Sequence, residues 1–208
     1  RHDGGGGDRG AGPGRGVRVI GGAAGGRTLC CADGRVTRPT PDRVKGALFN
    51  ILGQAFAGEQ VLDLFSGTGA LSIEALSRGA SRAVLVEMGA GPIRAIRKNL
   101  ATTGFADRAV LYEMDVERAV EVIARDARGA RGFDIVFAGP PYAWDREAPL
   151  IEDLSRLKML APGGVAVFQH AARRALPGAT ATWHRFDQRR FGDTSLSFYS
   201  EDPLRTHA

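Results

Sequence analysis

The stretch Asp63-Leu-Phe-Ser-Gly-Thr-Gly-Ala-Leu-Ser72 sets a carboxylate and two glycines, Gly67 and Gly69, between two apolar runs. Val61, Leu62 and Leu64 read as a short strand, and Ala70, Leu71, Ile73, Glu74, Ala75 and Leu76 favour helix. Glycines at a strand-to-helix turn tolerate positive φ and let the backbone approach a ligand closely. Rossmann-type folds hold nucleotide-like ligands in this way. The third glycine of the dinucleotide fingerprint is absent, because Ser72 stands there. That argues against NAD and leaves room for an adenosyl ligand without a pyrophosphate.

Other strand ends carry groups suited to such a ligand. Glu87 follows the apolar run Ala83-Val-Leu-Val86, eighteen residues after Gly69. A carboxylate at the end of a buried strand can accept both ribose hydroxyls. Asp115 ends a further strand and could accept from an adenine amine or cap the next helix, and both roles can hold together. Ala138-Gly-Pro-Pro-Tyr142 ends a fourth. Consecutive prolines fix an extended backbone without N–H donors and leave carbonyls free to point into a cleft. Tyr142 adds a stacking surface, so the turn suits a planar base with an exocyclic amine; the alternative is a rigid turn with an aromatic plug.

These groups need elements to position them. From residue 61 the pattern alternates, with strands expected at 61–65, 83–87, 110–114, 134–138 and 165–169 and helices near 69–78, 91–102, 116–126 and 148–159. Such alternation implies a parallel sheet with helices on both faces. Thr180 to Phe191 and Ser195 to Tyr199 read as two strands joined by Gly192-Asp193, a hairpin signal. A parallel sheet ending in an antiparallel hairpin is the arrangement of class I methyltransferases, an α/β Rossmann-like sheet of seven strands. Before it, Val44, Ala47, Leu48, Ile51, Leu52 and Ala55 form one apolar helical stripe. Thr40 is expected to cap that helix and Pro41 to open it. Arg43 and Asn50 share another face, either solvated or turned to a ligand.

Four regions are expected: a disordered Gly-rich tail at 1–16, a basic hairpin and helix at 17–57, the catalytic domain at 58–201, and a short tail at 202–208. Residues 1–16 carry eight glycines and few apolar groups. The chain has 208 residues and 43% apolar content, enough for one α/β domain with an appendage. Residues 1–50 hold nine Lys or Arg against four Asp or Glu, the whole of the +5 net charge. A basic lobe on a neutral body points to a polyanionic partner. No apolar run reaches membrane-spanning length and no secretory leader is visible. Adjacent Cys30 and Cys31 suit a reduced, cytoplasmic protein, with no metal-ligand spacing.

The Pro-Pro-aromatic turn after the fourth strand is the signature of amino-directed, S-adenosylmethionine-dependent methyltransferases. Together with Arg38-Pro-Thr-x-Asp-Arg-Val, Leu48-Phe-Asn, Arg18-Val-Ile-Gly-Gly, Ala75-Leu-Ser-Arg-Gly-Ala80 and Arg190-Phe-Gly-Asp-Thr194, it gives a chain that resembles the RsmD family from about Val17 to Tyr199. Those enzymes methylate the N2 amine of a guanine in bacterial small-subunit ribosomal RNA. The resemblance implies S-adenosylmethionine as cofactor, no metal, and ribosomal RNA or a small-subunit assembly particle as partner to a monomer. It implies that Asp63, Phe65, Ser66, Gly67 and Gly69 cradle the methionine part. Glu87 is then expected to bind the ribose, with Met88, Asp115 and Val116 flanking the adenine. Arg38, Thr40 and Arg43 should approach the cofactor carboxylate, while Gly139, Pro140, Pro141 and Tyr142 hold the target base.

Two positions depart from the family pattern. Gly139 stands where an acidic or amide residue is expected, and Gly46 where glutamate is usual. The lone pair of a guanine N2 is delocalised into the ring, so transfer needs the amine turned and its protons accepted. Gly139 has no side chain for this, though the carbonyls of Gly139 and Pro140, or Asp145, could contribute. Two alternatives stand beside the enzyme: a non-catalytic protein that binds cofactor and RNA, and an adenine-N6 methyltransferase acting on DNA.

Overall fold

The computed structural model describes residues 17–31, 40–126 and 132–205. The Gly-rich segment 1–16, Arg35, Arg38 and residues 206–208 lie outside the described residues. Five helices, α1 (Asp42–Leu52), α2 (Ala70–Ser77), α3 (Ala90–Thr103), α4 (Val116–Asp126) and α5 (Glu147–Arg156), alternate with the strands of one sheet. The strands are β1 (Gln60–Leu64), β2 (Arg82–Glu87), β3 (Ala109–Glu113), β4 (Phe133–Ala138), β5 (Leu160–Ala171), β6 (His184–Phe191) and β7 (Thr194–Ser200). Their order is β3-β2-β1-β4-β5-β7-β6, parallel through β5 and antiparallel at the β6–β7 hairpin. This is the expected class I methyltransferase sheet.

Alternation along each central strand separates two cores. Val61, Leu85, Phe137 and Val167 pack under α1, α2 and α3, with Val17, Val19 and Leu29 of the N-terminal segment. Leu62, Val86, Val136 and Phe168 pack against α4 and α5. Strand order reverses between β1 and β4, because the chain leaves β1 toward β2 and later returns on the other side as β4. In open α/β sheets a crevice forms outside the carboxyl ends at that switch point.

Three local expectations change. Segment 17–31 carries a single antiparallel bridge, Arg18 with Thr28, closed by Val19 N–H to the Arg27 carbonyl and Leu29 N–H to the Val17 carbonyl. Thr40 does not cap α1: the N-cap is Pro41 without a side-chain bond, and the Thr40 hydroxyl donates elsewhere. The first strand of the terminal hairpin starts at His184, not at Thr180. The Thr180 N–H donates to the Trp183 carbonyl and closes a turn there.

Candidate active site

Two loops leave the carboxyl ends of β1 and β4 at the switch point, and one cleft opens between them. Thr40, Asp63, Phe65, Ser66, Gly67, Gly139 and Gln169 line it, with Leu48, Leu71, Phe137, Val167 and Leu196 as its apolar wall. Registers explain the grouping. Asp63 pairs with Phe137 and Phe137 with Val167, so all three face the same side of the sheet. One dyad further along, Gly139 and Gln169 face that side too.

The loop after β1 is built by its own side chains. Phe65 takes a left-handed φ of 63°, a conformation that costs a non-glycine residue about 1–3 kcal/mol. Its ring meets the Trp144 ring edge-on at 4.9 Å, so the strained residue ties the first loop to the second. The Ser66 hydroxyl donates to the Asp63 carbonyl at 2.6 Å and accepts from Val86 N–H at 3.1 Å. The two glycines differ in use. A Cβ on Gly67 would meet nothing within 4 Å, so this loop backbone lies open. A Cβ on Gly69 would stand 3.3 Å from a Leu85 methyl, so Gly69 serves close packing at the start of α2.

Asp63 is 3% exposed, and its Oδ2 accepts from the Ser72 hydroxyl at 2.8 Å. Burial pushes its carboxyl up to about 7; the Ser72 bonds pull it down and the Glu87 charge raises it. Ser72, which in the sequence marks only a missing glycine, is therefore the partner of Asp63. Glu87, at the end of β2, accepts N–H bonds from Gly67 at 2.9 Å, Met88 at 3.0 Å and Gly89 at 2.8 Å. Its carboxylate holds the glycine loop in place and keeps about one lone-pair direction free.

The remaining expected cofactor residues are spread more widely. Met88 is 70% exposed beside Glu87. Asp115 caps α4, accepting from Glu117 N–H at 2.9 Å. The Val116 side chain is buried in the core at the first turn of α4. Arg43 is exposed on α1 and is not among the residues of the cleft wall.

The second loop is anchored at four points. Gly139 N–H donates to the Leu64 carbonyl at 3.3 Å, and Trp144 N–H to the Pro141 carbonyl at 2.8 Å. The Tyr142 hydroxyl bonds Thr194 of β7 at 2.6 Å. Arg174 holds the Trp144 carbonyl at 3.0 Å and pairs with the buried Glu147 at 2.6 Å. Pro140 is buried and Pro141 and Asp145 are exposed; none of the three is among the residues of the cleft wall. No sequence motif singles out Trp144, Arg174 or Gln169; each acts through a partner distant in the chain.

The cleft fits an adenosyl amino acid. Thr40, Asp63 and Ser66 supply polar groups on the cleft wall, Glu87 stands by the glycine loop, and the Gly67 backbone is open to approach. Among the described residues no group of His, Cys, Asp or Glu is placed to hold a metal ion. Fold and site define a class I, S-adenosylmethionine-dependent methyltransferase.

The family model described as Conserved hypothetical protein 95 matches residues 17–200. The chain belongs to that family, the RsmD family. It is 32% identical over 189 residues to Ribosomal RNA small subunit methyltransferase D of Escherichia coli (strain K12), covering 89% of this chain and 90% of that one. It is 35% identical over 185 residues to YlbH of Bacillus subtilis (strain 168), covering 89% and 99%. The solved structure of a hypothetical protein from Thermus thermophilus superposes with a TM-score of 0.74 at 31% identity, covering 88% of this chain and 98% of that one.

Proposed function

We propose that the chain transfers a methyl group from S-adenosylmethionine to the exocyclic N2 amine of a guanine in small-subunit ribosomal RNA. One observation carries this reading: Gly139, which opens the Pro-Pro-Tyr loop, lines the same cleft as Asp63 and Gly67. A base gripped by the second loop thereby meets a ligand held by the first. The Escherichia coli relative's name supports the RNA class of substrate.

When bound, S-adenosylmethionine supplies an electrophilic methyl on a sulfonium sulfur. Asp63 and Ser66 then orient the amino-acid end, and Glu87 fixes the loop that faces it. Tyr142, held by Thr194, offers its ring to the base, while a carbonyl of the Gly139-Pro140 turn accepts one amine hydrogen. Positioning and preorganised dipoles carry the rate. The protein acts as a monomer in the cytoplasm, on ribosomal RNA or an assembling small subunit. Among the described residues no helix is long and apolar enough to cross a membrane.

The test is nucleoside mass spectrometry of small-subunit RNA from cells with and without the protein. The reading predicts one N2-methylguanosine lost on deletion and restored by the wild-type chain. Unchanged methylation at every guanine would sink it.

A further inference from the structure

Beside Gly139 stands a polar side chain that the Pro-Pro-Tyr motif does not contain. The register between Ala138 and Phe168 sets Gln169 of β5 next to Gly139. A Cβ placed on Gly139 would have one neighbour within 4 Å, the Gln169 Cβ at 4.0 Å. The space a side chain at 139 would fill is therefore open, and Gln169 borders it.

Its carboxamide is fixed from the far side. The Thr40 hydroxyl donates to Gln169 Oε1 at 2.9 Å. A carbonyl oxygen has a second lone pair, and the Nε2 hydrogens have no partner among the described residues. The hydroxyl expected to cap α1 thus holds a side chain on the cleft wall.

We infer that Gln169 orients the target amine in this chain, acting from β5 across the gap that Gly139 leaves. The inference rests on the guanine-N2 reading above. Oε1 accepts one N–H of the amine and turns the nitrogen lone pair toward the methyl carbon. As the N–C bond forms and the C–S bond breaks toward sulfur, the amine proton passes to water; the neutral carboxamide does not take it up. Thr40 is the positioning residue behind it.

The experiment uses the full chain, labelled S-adenosylmethionine, and small-subunit particles from cells that lack this protein. Gln169→Ala is expected to lower kcat by about 100-fold, the usual loss for one preorganised polar group. KM for particles and the calorimetric Kd for S-adenosylmethionine should stay within about threefold of wild type, as expected for a group used in the transition state. Gly139→Asn has space and no positive φ to oppose it, so adding it to Gln169→Ala should restore kcat by about tenfold by returning an amide to the gap. A Gln169→Ala kcat within about threefold of wild type overturns the inference, as does a parallel loss of cofactor affinity. An inactive wild type with an active Gly139→Asn variant overturns the inference alone. Inactivity of both, with cofactor bound, overturns the substrate reading and the inference with it.

Discussion

At the scale of single residues, Asp63 carries the sharpest expectation. Its carboxyl is buried and pushed up to about 7, so at neutral pH it is only partly ionised. The cationic ammonium of a bound amino acid favours the carboxylate and draws that proton off. Affinity for S-adenosylmethionine should therefore rise as pH goes from about 6 to about 8, with proton release on binding. Titration calorimetry in two buffers of different ionisation enthalpy measures both. Asp63→Asn should bind weakly and without that pH dependence. Ser72→Ala should move the midpoint upward, because the Ser72 hydrogen bonds lower the Asp63 pKa. Wild-type affinity that is flat across this range contradicts the assignment. In the free protein the sign is opposite for stability. The folded pKa lies above the ordinary 3.8, so this carboxyl's contribution is fullest below about 4 and declines as pH rises to about 7.

At the scale of elements, one buried carboxylate joins three segments. Glu74 of α2 accepts from Ile20 N–H at 2.7 Å and Gly21 N–H at 2.9 Å. It pairs with Arg78 at 2.8 Å and with the fully buried Lys45 of α1 at 3.5 Å. Lys45 also donates to the Arg18 carbonyl. Burial lowers the Lys45 pKa, while the charges of Glu74 and Asp42 oppose that fall. The N-terminal segment, α1 and α2 are thereby fixed together, and α1 is preceded by Thr40 on the cleft wall. Removing Glu74 takes from the buried Lys45 and Arg78 the carboxylate they share. Glu74→Ala should cost about 3–5 kcal/mol, the range for breaking a buried ion pair. Urea denaturation checks it, and a loss under about 1 kcal/mol, typical of a surface pair, contradicts the picture.

At the scale of the whole molecule, the charge pattern gives a prediction about RNA. Arg18 of the basic lobe is exposed beside Asp42 at 3.3 Å, while Lys45 is buried and is no phosphate contact. Exposed Arg189 and Arg190 lie on the edge strand β6, next to the turn whose Thr194 holds Tyr142. Particle binding should weaken linearly in log salt, and Arg190→Ala should reduce that slope by about one. A slope unchanged in the variant removes β6 from the interface. The alternation of strand and helix is legible in the sequence because a parallel sheet needs buried apolar strands and returning helices. The switch-point loops are legible because Gly67, Gly69 and the paired prolines have few other uses. Less is legible at the cleft wall. Thr40 and Gln169 meet across 129 positions of chain, and no local pattern announces such a pair. The most direct measurement is single-turnover transfer of labelled methyl by the purified chain to small-subunit particles, free small-subunit RNA and duplex DNA, with the product nucleoside identified. The expected result is label in N2-methylguanosine at one RNA position and none in DNA. Label in N6-methyladenine, or cofactor binding without transfer to any RNA, contradicts it.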